Sequence, residues 1–158
     1  MAGLPVLYVF VRTDMNSMTP GKAQAHSGHA ANAFVQRYVI EPMKNSESIA
    51  PAVQEWMTST SQGFGTQINL KASWEDVMKA VNRASDAEFA NGIVIDPTYP
   101  YTVDAEIFSL IYPTTHTAQP IVNANGNYTC FRKEATAAYI FGYKEDLFDI
   151  VGQFPLHP

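Results

Sequence analysis

At 158 residues, 46% of them hydrophobic, the chain can bury one ordinary core and is too short for two full domains, so a single domain over residues 1–158 is expected. A formal net charge of -5 argues against a protein that grips long nucleic acid by general phosphate neutralisation, and any RNA contact must be local. The one cysteine, Cys130, excludes an internal disulfide framework and leaves too few thiolates for a structural zinc site, which fits a reducing, cytoplasmic compartment.

Residues 4–12 (LPVLYVFVR) form a nearly unbroken apolar, β-branched and aromatic stretch, the pattern of a central strand covered on both sheet faces. Its apolar part is too short to span a membrane and lacks a basic leader, so neither a signal peptide nor a membrane partner is expected. After the loop 13–18, Thr19 can serve as N-cap and Pro20 as the first helical residue of a helix running to about Val39. Ala23, Ser27, Ala30, Ala31, Phe34 and Tyr38 share its buried side. Pro42 is expected to stop that helix, and a second one around residues 49–57 places Ile49, Val53, Trp56 and Met57 on one face.

Alternation around Ile68 and Leu70 predicts a strand within residues 63–72 (GFGTQINLKA), and Ser73 followed by Trp74, Glu75 and Asp76 predicts a capped helix over 74–84. Asn91-Gly92 introduces a short apolar strand, 93–96, that delivers a carboxylate at its end. From 97 to about 126 the chain turns rich in Pro, Thr and Tyr around strands expected at 105–112 and near 119–123, an inserted β-hairpin or flap. Asn125-Gly126 marks a turn, residues 129–141 read as a strand, and 144–151 (KEDLFDIV) as a short terminal helix.

Ionisable groups concentrate in residues 12–30 (RTDMNSMTPGKAQAHSGHA), the loop leaving the first strand and the helix after it, an edge where α/β folds place ligands. Lys22, His26 and His29 are four and three apart, which on an ideal helix keeps them within a stripe of roughly 60°. Composition alone is equally satisfied by a solvent lysine and two ordinary histidines. No Gly-x-Ser-x-Gly elbow accompanies a triad, and Cys130 has no local activation signal, so nucleophilic catalysis is disfavoured. His-x-x-His with Asp14 or Asp96 is a weak metal signal, and neither metal nor cofactor is expected. The tyrosines at 99, 101, 112 and 128 suit either a packed flap or stacking on a terminal adenosine.

A hydrophobic strand ending in Arg12-x-Asp14, then Gly21-Lys22, a helical Ala- and Gln-rich segment and His29-Ala30 resemble the signature of the type 2 peptidyl-tRNA hydrolase family. The resemblance continues through QINLKASWEDVMKAVNRA, GIVID and YIFGYKEDLFDIVGQF, covering most of the chain outside 97–126. Where the family carries a helical glutamine this chain has His26. The family's Asp-Ala-Gly-Arg-Thr loop is represented by Asp96, its arginine has no match, and either Thr98 or Thr129 occupies the place of its threonine.

The resemblance implies an α/β fold: a mixed β-sheet with helices on both faces, three layers, carrying the inserted hairpin. It also implies metal-free cleavage of the ester joining a peptide to the 3′ ribose of tRNA, with the acceptor end of peptidyl-tRNA as partner. Lys22, His29 and Asp96 are the implied catalytic residues, and Arg12, Asp14, His26, Thr98 and Thr129 the implied substrate-binding ones. The competing expectation is a non-catalytic domain of the same fold that binds a protein or small ligand, forming a homodimer through an exposed strand or the tyrosine-rich flap.

Overall fold

Seven of the eight side chains of strand β1 (Pro5–Arg12) are buried, because successive residues point to opposite faces of a sheet that is covered on both. The computed structural model describes residues 3–111 and 121–158. After β1 come helix α1 (Pro20–Val35), a π-helical turn (Gln36–Ile40), α2 (Glu41–Lys44), α3 (Pro51–Thr58), β2 (Thr66–Ala72) and α4 (Trp74–Asp86). Next are β3 (Ala90–Val103), α5 (Ala105–Ile111), β4 (Ile121–Val122), β5 (Tyr128–Tyr143) and α6 (Lys144–Val151).

Among the described residues the strands form one sheet in the order β2-β1-β5-β3, with β4 paired to β5. β1 runs parallel to β2, Val6 opposite Thr66 through Arg12 opposite Ala72, and antiparallel to β5, Pro5 opposite Tyr143 through Val11 opposite Ala137. The sheet is therefore mixed, as expected. Two compact units divide the chain: Met1–Val94 with Ala137–Pro158, and Ile95–Thr136.

The first unit is three-layered. Val6, Tyr8 and Phe10 of β1 pack with Val77, Ala80, Val81 and Ala84 of α4 and Leu147, Ile150 and Val151 of α6. Leu7, Val9 and Val11 pack on the other face with Ala23, Ala30 and Phe34 of α1 and Val53 and Trp56 of α3. Phe34 anchors that layer, its ring in contact with Tyr38, Trp56, Tyr139 and Phe141 at centroid separations of 4.8 to 5.7 Å. The outer edge of β2 is covered by residues 155–157: Lys71 N–H donates to the Pro155 carbonyl and His157 N–H to the Asn69 carbonyl. A capped edge no longer offers a template to another chain.

The expectation that Pro42 stops the first long helix is corrected. The chain stays helical to Lys44, with Pro42 inside α2. A proline deep in an α-helix removes one hydrogen bond and collides with the carbonyl four residues back. Here the turn just before it is widened to π geometry, with the Glu41 N–H donating to the Gln36 carbonyl five residues away, which relieves the crowding. The true stop is a left-handed residue, Ser46 at φ 58°, flanked by Ser46 N–H to Met43 O and Glu47 N–H to Pro42 O bonds, a Schellman end.

The second unit holds the other corrections. Residues 105–111 are helical, not a strand. Asp104 starts α5 by accepting the Ile107 N–H on Oδ1 at 2.8 Å, and its carbonyl accepts the Phe108 N–H at 2.9 Å. A side-chain acceptor three residues ahead of an orphan N–H is a helix start, and it outweighs the apolar alternation that suggested a strand. Tyr112 and the first part of the segment near 119–123 lie outside the described residues; of the latter, Ile121–Val122 is strand β4, opposite Thr129 and Tyr128 across the Asn125-Gly126 turn. The expected strand 93–96 is part of a much longer β3 that continues through Pro97 and Pro100. Its place at the end of the sheet order makes this tolerable, since an edge strand can spare the missing N–H groups.

Candidate functional site

In the first unit the loop 13–19 ends in the N-cap of α1. Thr19, extended at φ -78° and ψ 162°, accepts the Lys22 N–H on its hydroxyl at 3.3 Å, and Pro20 follows at the first helical position. The first turns of α4 and α6 carry the acidic pairs Glu75 with Asp76 and Glu145 with Asp146, whereas that of α1 has no acidic residue and bears Lys22. Lys22 thus adds a positive charge to the positive end of the helix dipole, an arrangement that favours an anion. Lys22 is half-buried, and burial lowers its pKa from the ordinary lysine value.

One turn on, His26 is 3% exposed while His29 is exposed, and their rings meet edge to face with centroids 5.2 Å apart. The two histidines of the anticipated stripe therefore meet, and Lys22 lies on the same helix one turn before His26. On the β2 side of α1 lies Ser27, whose hydroxyl donates to Asn69 Oδ1 at 2.9 Å and accepts from Gln67 Nε2 at 3.1 Å. At 100° per residue the Lys22 stripe sits roughly 100–160° around the helix from Ser27, on the side turned away from β2.

Arg12 and Asp14 form a fork: Arg12 Nε and Nη2 donate to Asp14 Oδ1 and Oδ2 at 2.9 and 3.1 Å. The same carboxylate accepts the Trp74 N–H, the first of α4, at 3.2 Å, and the Arg12 guanidinium lies 5.2 Å over the Trp74 ring. The Arg12 hydrogen bonds, foremost, hold the Asp14 carboxyl below the usual carboxylate range. Asp14 thus shares the α4 N-terminus with the N-cap Ser73, which accepts the Asp76 N–H. This pair ties the exit of β1 to the next helix, a role that its spacing in the sequence does not disclose.

The second unit carries Asp96, Thr98 and Thr129. Asp96 Oδ1 accepts from the Thr98 N–H at 2.8 Å and from its hydroxyl at 3.5 Å, so the two side chains form one local turn within β3. Thr129 lies on β5 opposite Ile121 of β4. Nearby, Phe108 and Tyr128 are stacked with centroids 4.0 Å apart, and the Arg132 guanidinium sits 4.7 Å over the Tyr101 ring. Cys130 is fully buried, and burial pushes its thiol up.

Among the described residues no three His, Cys, Asp or Glu side chains gather as a group able to hold a metal ion, and no helix is long and apolar enough to cross a membrane. Sequence reasoning missed the Ser27, Gln67 and Asn69 cluster; its only trace was a polar pair spaced by two on a strand facing a small helical residue.

The family model described as Peptidyl-tRNA hydrolase PTH2 matches residues 5–107, from β1 into α5. No curated protein matches the chain.

Proposed function

The chain belongs to the type 2 peptidyl-tRNA hydrolase family, and from that premise we propose that it hydrolyses the ester between a peptide and the 3′ ribose of tRNA. The observation that carries the reading is Lys22, half-buried on the first turn of α1, which has no acidic residue, so that its ammonium and the positive end of the helix dipole favour a phosphate or a developing oxyanion.

Water adds to the ester carbonyl, giving a tetrahedral oxyanion that collapses to release the ribose hydroxyl and the peptide carboxylate. The reaction needs a group to orient the water, a proton acceptor and a counter-charge for the oxyanion. Lys22 supplies the counter-charge and His29, exposed one helical turn from the buried His26, relays a proton. Asp96 is assigned the water by resemblance. Thr98, which donates to Asp96, is favoured over Thr129 as the substrate-side threonine because it shares that carboxylate's hydrogen bonds. Arg12 and Asp14 act at one remove, holding the loop that leads into α1.

The test is release of peptide from an N-blocked peptidyl-tRNA by the purified protein, without added metal and at low salt, beside Lys22→Ala, His29→Ala and Asp96→Ala. Turnover by the parent and a drop of about tenfold or more in each variant are expected, the range over which positioned acid–base and charge groups act. A folded parent without turnover would leave the fold and remove the hydrolase reading in favour of a binding role.

A further inference from the structure

We propose that His26 is a positioning residue that acts through His29, its ring setting the orientation of the His29 imidazole, and that it makes no contact with substrate. The inference rests on the hydrolase reading for its catalytic consequence. Its structural half stands on three observations. First, His26 is 3% exposed, so it offers almost no surface to a ligand, whereas His29 three residues later is exposed. Second, the two rings are 5.2 Å apart with an interplanar angle of 81°, the edge-to-face arrangement that aromatic pairs prefer over a face-to-face sandwich. Third, the flanking residues Ala23, Ser27 and Ala30 are all buried on the core side of α1, so the backbone that carries His26 is held by packing.

An exposed imidazole on a helix otherwise samples several rotamers. A fixed neighbouring ring restricts which of them are populated, and a misplacement of about 1 Å at a reacting group is enough to slow a reaction by orders of magnitude. The glutamine that the family carries at this position has no ring to do this. In this chain the aromatic edge is the feature that matters, and the polar atoms of His26 are secondary.

The two roles give opposite rankings of variants. His26→Phe keeps a ring against His29 and loses the imidazole nitrogens; His26→Gln keeps a hydrogen-bonding group and loses the ring. Each is checked for folding by near-ultraviolet circular dichroism and compared in two readouts. The first is the proton chemical shift of the His29 ring, which senses the ring current of residue 26 irrespective of catalysis. The expected result is a His29 shift that stays close to the parent in His26→Phe and moves in His26→Gln. The reciprocal variant His29→Ala, at an exposed position, should move the His26 ring protons, and it keeps the contact testable if a substitution at the buried site fails to fold.

The second readout is peptidyl-tRNA turnover, where His26→Gln should lower kcat by roughly three- to tenfold with KM little changed, and His26→Phe should retain most of the parent kcat. The opposite order, with Gln active and Phe impaired, would overturn the proposal in favour of a hydrogen-bonding role, and so would a KM effect without a kcat effect. Equal losses in both variants, or His29 ring protons that ignore residue 26, would also overturn it. Should the parent show no turnover, the hydrolase reading falls, while the chemical shifts still decide whether the rings are coupled.

Discussion

Asp14 shows how one carboxylate can serve two elements. It accepts two hydrogen bonds from Arg12 and one from the first N–H of α4, and these hold its pKa below the usual value. Since the folded pKa lies below the unfolded one, about 3.9 for an ordinary aspartate, the stabilisation is present at neutral pH and is lost as the pH falls through the folded value. Asp14→Asn should therefore unfold at lower urea concentration at pH 7, by about 1 kcal/mol once the partial exposure of the pair is allowed for, and should match the parent near pH 2. Urea titrations at the two pH values check this; a difference that persists at pH 2 would point to a packing effect. Lys22, His26 and His29 were legible in the sequence because a 3.6-residue period fixes which side chains share a helix face. The link from Asp14 to Trp74, 60 residues on, was not, since it depends on β1 and β2 lying side by side.

The same division holds for the elements. α6 was readable from end to end and α4 from its start, though it runs two residues past the expected end to Asp86, because each combines an apolar stripe with an acidic first turn. Strands β1 and β2 were readable from their apolar run and their alternation. The run 105–111 was misread because Ile107 and Phe108 suit a strand, and the deciding group was the side chain of Asp104 just ahead of them. Removing that group should expose the true preference. Asp104→Ala loses the acceptor for the Ile107 N–H and should destabilise α5 by about 1 kcal/mol, the usual cost of losing an N-cap. Hydrogen exchange at the Ile107 and Phe108 amides should then accelerate roughly fivefold, while the amides of β1 keep the parent rate. Faster exchange throughout the chain would mean instead that α5 unfolds only together with everything else. The π turn before Pro42 was unreadable for a different reason: proline signals a break, and nothing in the local sequence says that the preceding turn will widen to accept it.

For the molecule as a whole, the two layers around β1 carry the stability of the first unit. Phe34→Ala, which empties the centre of the ring cluster formed with Tyr38, Trp56, Tyr139 and Phe141, should cost about 3–5 kcal/mol in thermal or denaturant unfolding. That is a large share of the 5–15 kcal/mol or so by which such proteins are stable. A loss below about 1 kcal/mol would show that the surrounding rings collapse into the space.

Charge sets a limit of another kind. The chain carries a net -5, and three of its ten lysine and arginine side chains are held in ion pairs within the fold: Arg12 by Asp14, Lys79 by Glu75 and Asp76, and Arg132 by Glu134. A tRNA held under these conditions can exchange few counterions for protein contacts. Each phosphate neutralised on a single strand contributes a slope of about -0.7 to the dependence of log affinity on log salt concentration. For a local contact made by Lys22 and one or two further cations, the slope should lie between about -0.7 and -2, and Lys22→Ala should make it shallower by about 0.7. Binding of a non-hydrolysable acceptor-stem analogue between roughly 50 and 200 mM salt measures it, at concentrations where binding is strong enough to follow. A slope steeper than about -4 would require a broad basic face and would overturn the reading of a local contact. An unchanged slope in Lys22→Ala would place the phosphate elsewhere and leave the lysine to the oxyanion alone.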